Sequence, residues 1–172
     1  MADKFRAKVY MTPIVTLDGD PDGDSKDVIH HDIKRSLGGS LEYDTSEIHG
    51  TARWFYTAAT TFNSSPSDAI SGTYTDGTAV ASGDNIRMAY IEHLGLDSAG
   101  NKSSSGDRMY ISLDGGSAST DDSALMLNPN ESIVFKFKTQ DATSDMLVSR
   151  LHLDAGSTSC QMKIIAICDD VA

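Results

Sequence analysis

Glutamate and basic residues are both scarce in this chain of 172 residues, and each shortage excludes a class of protein. Only 4 of the 25 acidic residues are Glu, whereas 21 are Asp, which favours turns and caps over helix interiors. An all-helical fold is therefore not expected. The 14 basic residues leave a formal net charge of −11, so the chain repels nucleic acid and anionic membranes. We expect neither of them as a partner.

Cysteines and long apolar runs are also few. The two cysteines, Cys160 and Cys168, lie eight positions apart in one apolar segment, which is too far for a bond if that segment is a single strand. We therefore expect two buried free thiols and no disulfide framework. The longest continuous apolar run, residues 164–168, is far shorter than the roughly 20 residues of a membrane-spanning helix.

The dominant pattern is an alternation of apolar and polar residues with a period of two, which predicts strands that bury one face. It runs through residues 4–11, 86–94, 109–113, 133–138, 151–153 and 162–168, and further strands are predicted near residues 28–34, 51–58 and 71–75. Clusters of Gly, Pro, Asn, Asp and Ser separate these segments, as is typical of turns. No stretch of 12 residues shows a clean helical period.

These strands predict an all-β fold. Eight or more short strands in a chain of one-domain length indicate an antiparallel β-sandwich, and the long loops favour a jelly roll. In this interpretation an N-terminal arm or strand, residues 1–17, precedes a single β-sandwich domain, residues 18–172.

One acidic segment has the pattern of a Ca²⁺-binding loop. Asp18, Asp20, Asp22 and Asp24 stand at alternate positions in the run D-G-D-P-D-G-D, so their carboxylates can converge on a hard cation. The twelfth position is Ile29, where an EF-hand places a bidentate Glu, and no flanking helices are predicted. The segment is therefore either a Ca²⁺ site of another geometry or a solvated acidic loop. No other cofactor is expected.

Catalytic and transition-metal patterns are weak. His30 and His31 are adjacent, so on a strand they point to opposite faces and cannot chelate one ion together. The sequence contains no H-x-x-x-H, C-x-x-C or G-x-S-x-G motif. We therefore expect a protein that is not an enzyme. A β-sandwich hydrolase stays open as an alternative, and it requires a pocket with two convergent carboxylates or a Ser–His pair.

The aromatic residues concentrate in one predicted strand. Trp54 and Tyr56 fall on one face of it and Phe55 on the other. The segment is either a core strand whose second face is covered, or a platform for a ligand or another subunit, where aromatic residues are enriched. A carbohydrate-stacking surface would require Trp54 to be exposed.

Two features favour assembly with other subunits. Residues 164–167 are apolar on both strand faces, which is typical of a strand covered on both sides. Residues 1–11 carry a net charge of +2 and residues 12–172 a net charge of −13, so the N-terminal strand could pair with the sheet edge of an acidic partner. The contact residues that we predict are Phe5, Arg6, Lys8, Val9 and Tyr10 in the arm, with Ile165 and Ile167 in the last strand.

Three stretches also resemble a known group of proteins. They are N-I-R-M-A-Y-I-E-H-L-G from Asn85, R-M-Y-I-S-L-D-G-G from Arg108, and L-M-L-N-P-N-E-S-I-V-F from Leu125. Their strands and turns resemble the β-sandwich accessory proteins of tailed-bacteriophage virions. The resemblance covers about residues 85–168 and includes neither the acidic loop nor the arm.

The resemblance implies a structural role with no catalytic residues. It implies a decoration (cement) protein on the exterior of a capsid, bound to the major capsid protein and to itself, as a homotrimer of jelly rolls. We expect the chain to stabilise the shell by bridging capsid subunits. The alternative is a Ca²⁺-dependent carbohydrate-binding or receptor-binding module of a tail or head appendage.

Overall fold

The computed structural model describes the backbone of two N-terminal strands, and residues 51–116, 125–137 and 146–170 in full. The ten strands are β1 Lys4–Val9, β2 Gly39–Asp44, β3 Thr51–Phe62, β4 Ser67–Asp68, β5 Asn85–Asp97, β6 Met109–Ser112, β7 Leu125–Leu127, β8 Ser132–Lys136, β9 His152–Ala155 and β10 Cys160–Asp170. A short 3-10 helix, Val148–Arg150, precedes β9. None of the described segments is an α-helix.

The chain divides into two compact units. One unit is Arg6–Glu42, and the other comprises Met1–Phe5 and Tyr43–Ala172. Strands β1 and β2 are hydrogen-bonded neighbours in a two-stranded sheet of their own. The boundary predicted between residues 17 and 18 lies outside the described residues, so this division stays a prediction, as does the strand near residues 28–34.

The larger unit contains two four-stranded sheets with the strand orders β3-β10-β5-β8 and β4-β9-β6-β7. All of the pairs within them are antiparallel. Residues of both sheets form one buried apolar cluster, which includes Ile91 and Ile164 from the first sheet and Ile111 and Leu153 from the second. The two sheets therefore pack face to face, and the prediction of an all-β antiparallel sandwich is confirmed.

The core face of β10 follows the predicted alternation. Met162, Ile164, Ala166 and Cys168 all belong to the apolar cluster, and β10 lies in the middle of its sheet, between β3 and β5. The alternation therefore identified both a strand and the face that it buries. The structure also confirms the two buried free thiols, because neither Cys160 nor Cys168 is in a disulfide.

Irregular pairing decides which residues of β3 face the core. Phe55 and Phe62 are seven positions apart, so a regular strand would place them on opposite faces, yet both belong to the core cluster. The two side chains share a face because the register shifts between them. Ile164 pairs with Thr57 and Met162 with Thr60, so a step of two residues on β10 matches a step of three on β3. The extra residue in β3 is a β-bulge that reverses the alternation.

A second shift affects β5 beside Arg87. The alternation grouped Ile86 with Met88 and Tyr90, but the core contains Ile86 together with Ala89 and Ile91. That grouping is wrong, because the bulge changes the face partway along the strand.

The predicted strand at residues 71–75 is also wrong. This segment forms only an isolated bridge, Thr73 with Ala79, closed by hydrogen bonds from Val80 N–H to Gly72 O and from Tyr74 N–H to Thr78 O. Gly72 and Gly77 have φ angles of 90° and 88°, a region that favours glycine and turns the chain. The segment is a tight turn that resembles a strand only in composition.

Candidate functional site

The outer face of the β3-β10-β5-β8 sheet carries a row of apolar and aromatic residues. The strand register places Tyr56, Ile165, Tyr90 and Val134 opposite one another across all four strands. Tyr56 is 54% exposed and the other three are half-buried. The row has the composition of an interaction surface, since tyrosine is enriched at protein interfaces.

The next row toward the far end of the sheet is more deeply buried. It consists of Trp54, Ile167, Met88 and Lys136, and both Ile167 and Met88 are completely buried. Of the two contact residues predicted in β10, Ile165 is therefore accessible and Ile167 is not. Trp54 is half-buried, whereas carbohydrate stacking would require it to be exposed.

A charged pair borders the first row. Glu92 accepts a hydrogen bond from Tyr90 Oη at 2.8 Å and forms an ion pair with Lys163 at 3.5 Å. The Lys163 ammonium also lies 6.0 Å from the centre of the Tyr90 ring. Burial, followed by the bond to Glu92, raises the pKa of Tyr90, which therefore stays neutral beside its carboxylate partner. The row thus has an apolar centre and a polar rim, as protein interfaces do.

The predicted contacts in the arm are described only in part. Phe5, Arg6, Lys8 and Val9 lie in β1, as the alternation predicts, while Tyr10 lies outside the described residues. The acidic loop with Asp18, Asp20, Asp22 and Asp24 also lies outside them, so its Ca²⁺ site stays a prediction. Within the segments that are described in full, no three His, Cys, Asp or Glu side chains are arranged to hold a metal ion.

Buried polar groups that the sequence pattern does not predict lie at one end of the sandwich. The Arg87 guanidinium forms an ion pair with Asp169, and both side chains are completely inaccessible to solvent. Nearby in the chain, Tyr74 Oη donates to Asp84 Oδ2 at 2.7 Å, and both residues are buried. A period-two pattern cannot reveal this burial, because it reports only the strand face on which a residue lies.

The structure also shows where a serine and a histidine meet. Ser112 and His152 are opposite each other on β6 and β9. The Ser112 hydroxyl donates to Asp114, whereas His152 Nε2 contacts Asp68 at 2.9 Å. No hydrogen bond joins the hydroxyl to the imidazole, although a nucleophilic serine needs that bond to its base. Ser112 and His152 are therefore not joined as a nucleophile and its base.

The two thiols lie in surroundings that suppress their reactivity. Burial raises the pKa of Cys160 to about 11 and that of Cys168 to about 12. Because the thiolate is the reactive form, both cysteines are packing residues at neutral pH.

His93 is locked in the core as a neutral imidazole. Its Nδ1 accepts a hydrogen bond from Gly95 N–H at 3.0 Å, so Nε2 carries the proton and donates to Asp107 O at 3.1 Å. The side chain is completely buried, and burial lowers its pKa below the ordinary value of 6.5, with Asp107 and Glu131 only partly opposing this shift. Protonation of Nδ1 would break the bond to Gly95 at the base of the loop that follows β5.

This geometry predicts that the free energy of unfolding falls as the pH drops below 6.5, the ordinary pKa of histidine in an unfolded chain. The lowered pKa means that the folded state excludes a proton that the unfolded state binds. The stabilising contribution is therefore present above pH 6.5 and lost below it. Urea unfolding of wild type and His93→Asn between pH 7.5 and 5 measures this slope. Identical slopes for the two proteins would contradict the assignment.

Comparisons of the chain with protein-family models, with curated proteins and with solved structures found no match. The functional interpretation therefore depends on the residues themselves. In the part of the chain that the structure describes, no helix is long and apolar enough to cross a membrane.

Proposed function

We propose that this chain is a capsid decoration protein that binds the outer surface of a phage shell and stabilises it by bridging capsid subunits. The observation that supports the proposal best is the Tyr56–Ile165–Tyr90–Val134 row, an apolar strip on a sheet face with an exposed aromatic residue. Binding that occurs only on the assembled shell stabilises that shell by mass action.

The connectivity of the sandwich supports the same proposal. Strands pair from the outside of the sequence inward, as β3 with β10, β4 with β9, β5 with β8 and β6 with β7. The chain is thus one long hairpin that is rolled until β10 meets β5 and β9 meets β6. We infer that this arrangement is the jelly roll predicted from the sequence, a fold used in virus capsids.

The proposed mechanism is binding alone and involves no chemical reaction. Tyr56 supplies the exposed anchor, Ile165 and Val134 supply apolar area, and the Glu92–Lys163 pair on the rim sets the orientation. The basic strand β1 offers a second contact to an acidic lattice. The bound subunit then adds buried area across the joints between capsid proteins.

Replacing the anchor should weaken capsid binding without unfolding the chain. We expect Tyr56→Ala to lower the affinity for capsids stripped of this protein by about 30-fold, the value for loss of a hot-spot residue worth about 2 kcal/mol. The matched control is Leu113→Ala, because Leu113 is 40% exposed and lies in the loop after β6, at the end of the other sheet. Co-sedimentation with capsids measures both, and equal binding by the two variants would contradict the proposed surface.

A further inference from the structure

The longest sheet edge in the described part of the sandwich is only partly protected against pairing. Strand β3 is an edge strand of 12 residues, and Arg53 is its only charged side chain. The other three edges of the two sheets are short, with two residues in β4, three in β7 and five in β8. Exposed edges are normally shortened, charged or covered, because their free N–H and C=O groups act as a template for another strand.

Among the described residues, a turn covers the first half of the β3 edge. Thr75 N–H donates to Trp54 O at 2.8 Å, and Arg53 forms an ion pair with Asp76 in the same turn. The backbone direction alternates along a strand, so the N–H and C=O groups of Tyr56 point to the same side as those of Trp54. Among the described residues, no hydrogen bond is formed with the backbone N–H or C=O group of Tyr56 on this side.

No described residue outside β10 pairs with the backbone of the second half of the edge. Residues 58–61 are all exposed and uncharged. Apart from the ladder with β10, the described structure gives these residues only a hydrogen bond between the Thr57 and Thr60 hydroxyls, at 2.6 Å. This segment therefore presents small side chains and unused backbone groups to solvent.

The sequence of this edge is close to a palindrome. Residues 55–62 read F-Y-T-A-A-T-T-F. A second copy running antiparallel about a two-fold axis between Ala58 and Ala59 would place Thr57 opposite Thr60, and Phe55 opposite Phe62. Threonine pairs stabilise antiparallel strands, and no charge repels its own copy anywhere in this stretch.

We propose that two copies of this chain pair through this free half of β3, joining their β3-β10-β5-β8 sheets into one eight-stranded sheet across a two-fold axis. A contact of this kind uses the same residues on both subunits, which is the commonest symmetry among oligomers. The bulge of β3 lies at the axis, so each copy meets the same irregularity in its partner. The inference goes beyond the proposed capsid role and does not rest on it.

A second copy fits this edge better than an unrelated strand does. Residues 55–62 contain no charged residue that would select an oppositely charged foreign strand, whereas their own sequence matches itself in register. The expected assembly is a dimer, which differs from the homotrimer implied by the phage resemblance. The measured mass of the assembly distinguishes a dimer from a trimer.

The first test is native mass spectrometry, with sedimentation equilibrium, of wild type, Ala59→Lys and Ser157→Lys. Ala59 and Ser157 are both exposed, so the folded chain tolerates either lysine. We expect a dimer for wild type and for Ser157→Lys, and a monomer for Ala59→Lys, because two ammonium groups would meet at the axis. If Ala59→Lys unfolds at the same temperature as wild type, its monomeric state results from lost strand pairing and not from unfolding. A wild-type monomer, a trimer, or a dimeric Ala59→Lys would overturn the proposal.

The second test locates the contact. Under mild oxidation, a mixture of Thr57→Cys and Thr60→Cys chains should form a covalent heterodimer, because opposed residues in an antiparallel pair are close enough for a disulfide. The native thiols are buried, so they do not compete. Ser157→Cys is the control and should stay uncrosslinked. A wild-type dimer that gives no such crosslink would place the interface elsewhere and overturn the assignment to β3.

Discussion

Replacing Asp169 with asparagine is expected to destabilise the chain by about 3–5 kcal/mol, the usual cost of removing one partner of a buried ion pair. Asp169 and Arg87 are both completely inaccessible to solvent, so the change removes the negative charge that the buried guanidinium contacts. Each kcal/mol lowers the thermal midpoint by roughly 2–4 °C in a chain of this size. Urea and thermal unfolding measure both quantities.

The matched control is Glu92→Gln. The Glu92–Lys163 pair lies on the outer face of the same sheet, and its side chains are 30% and 34% exposed. Water screens such a pair, so we expect a loss of at most about 1 kcal/mol. A double variant, Arg87→Met with Asp169→Leu, should recover part of the stability, because apolar residues can replace a buried pair at little cost. Equal effects of Asp169→Asn and Glu92→Gln would show that the buried pair has no special role.

Shortening Ile164 to alanine is expected to cost about 2–5 kcal/mol, because the change removes buried methyl groups and leaves a cavity. Ile164 is completely buried in the centre of β10 and packs in the cluster between the two sheets. Ile164→Val should cost only about 0.5–1.5 kcal/mol at the same position. Urea unfolding with constant m-values measures these differences as shifts in midpoint.

The neighbouring residue is the control for this prediction. Ile165 points to the outer face of the sheet and is half-buried, so Ile165→Ala removes less contact and should cost clearly less than Ile164→Ala. Equal losses at the two positions would contradict the assignment of the inner and outer faces of β10. Ile165→Ala should also impair capsid binding, whereas Ile164→Val should not, since Ile164 faces the core.

The alternation of apolar and polar residues predicts the buried face correctly where the strand itself contains no extra residue. Met162, Ile164, Ala166 and Cys168 face the core as their spacing indicates. Trp54 and Tyr56 lie on the opposite face from Phe55, again as predicted, and Tyr56 is the exposed one. Alternation depends only on the local backbone, so a single sequence is enough to show it.

The alternation of apolar and polar residues does not predict the features that depend on pairing between distant strands. Phe62 joins Phe55 in the core only because a bulge in β3 reverses the alternation, and Ala89 and Ile91 join Ile86 there because of a similar shift in β5. Bulges are set by the register with β10, more than 60 residues away in the sequence, which local composition cannot report. The two-residue strand β4 is not predicted either, because residues 63–68 have the composition of a turn.

The outer surface was predicted in part. Ile165 was identified because β10 is apolar on both faces, but its neighbours Tyr90 and Val134 come together with it only through the register of three strands. Ile167 has the same composition and spacing as Ile165, yet the chain itself buries it completely. Which of two equivalent apolar residues remains accessible is a property of the folded molecule.

The most direct test of the proposed decoration role is the copy number of this protein in virus particles purified from the cells that express its gene. Quantitative mass spectrometry of purified particles gives the ratio of this chain to the major capsid protein. A decoration protein that bridges the shell should be present at a copy number close to that of the major capsid protein. A few dozen copies or fewer would assign the chain to a vertex or tail appendage, and its absence from the particle would contradict the proposed function.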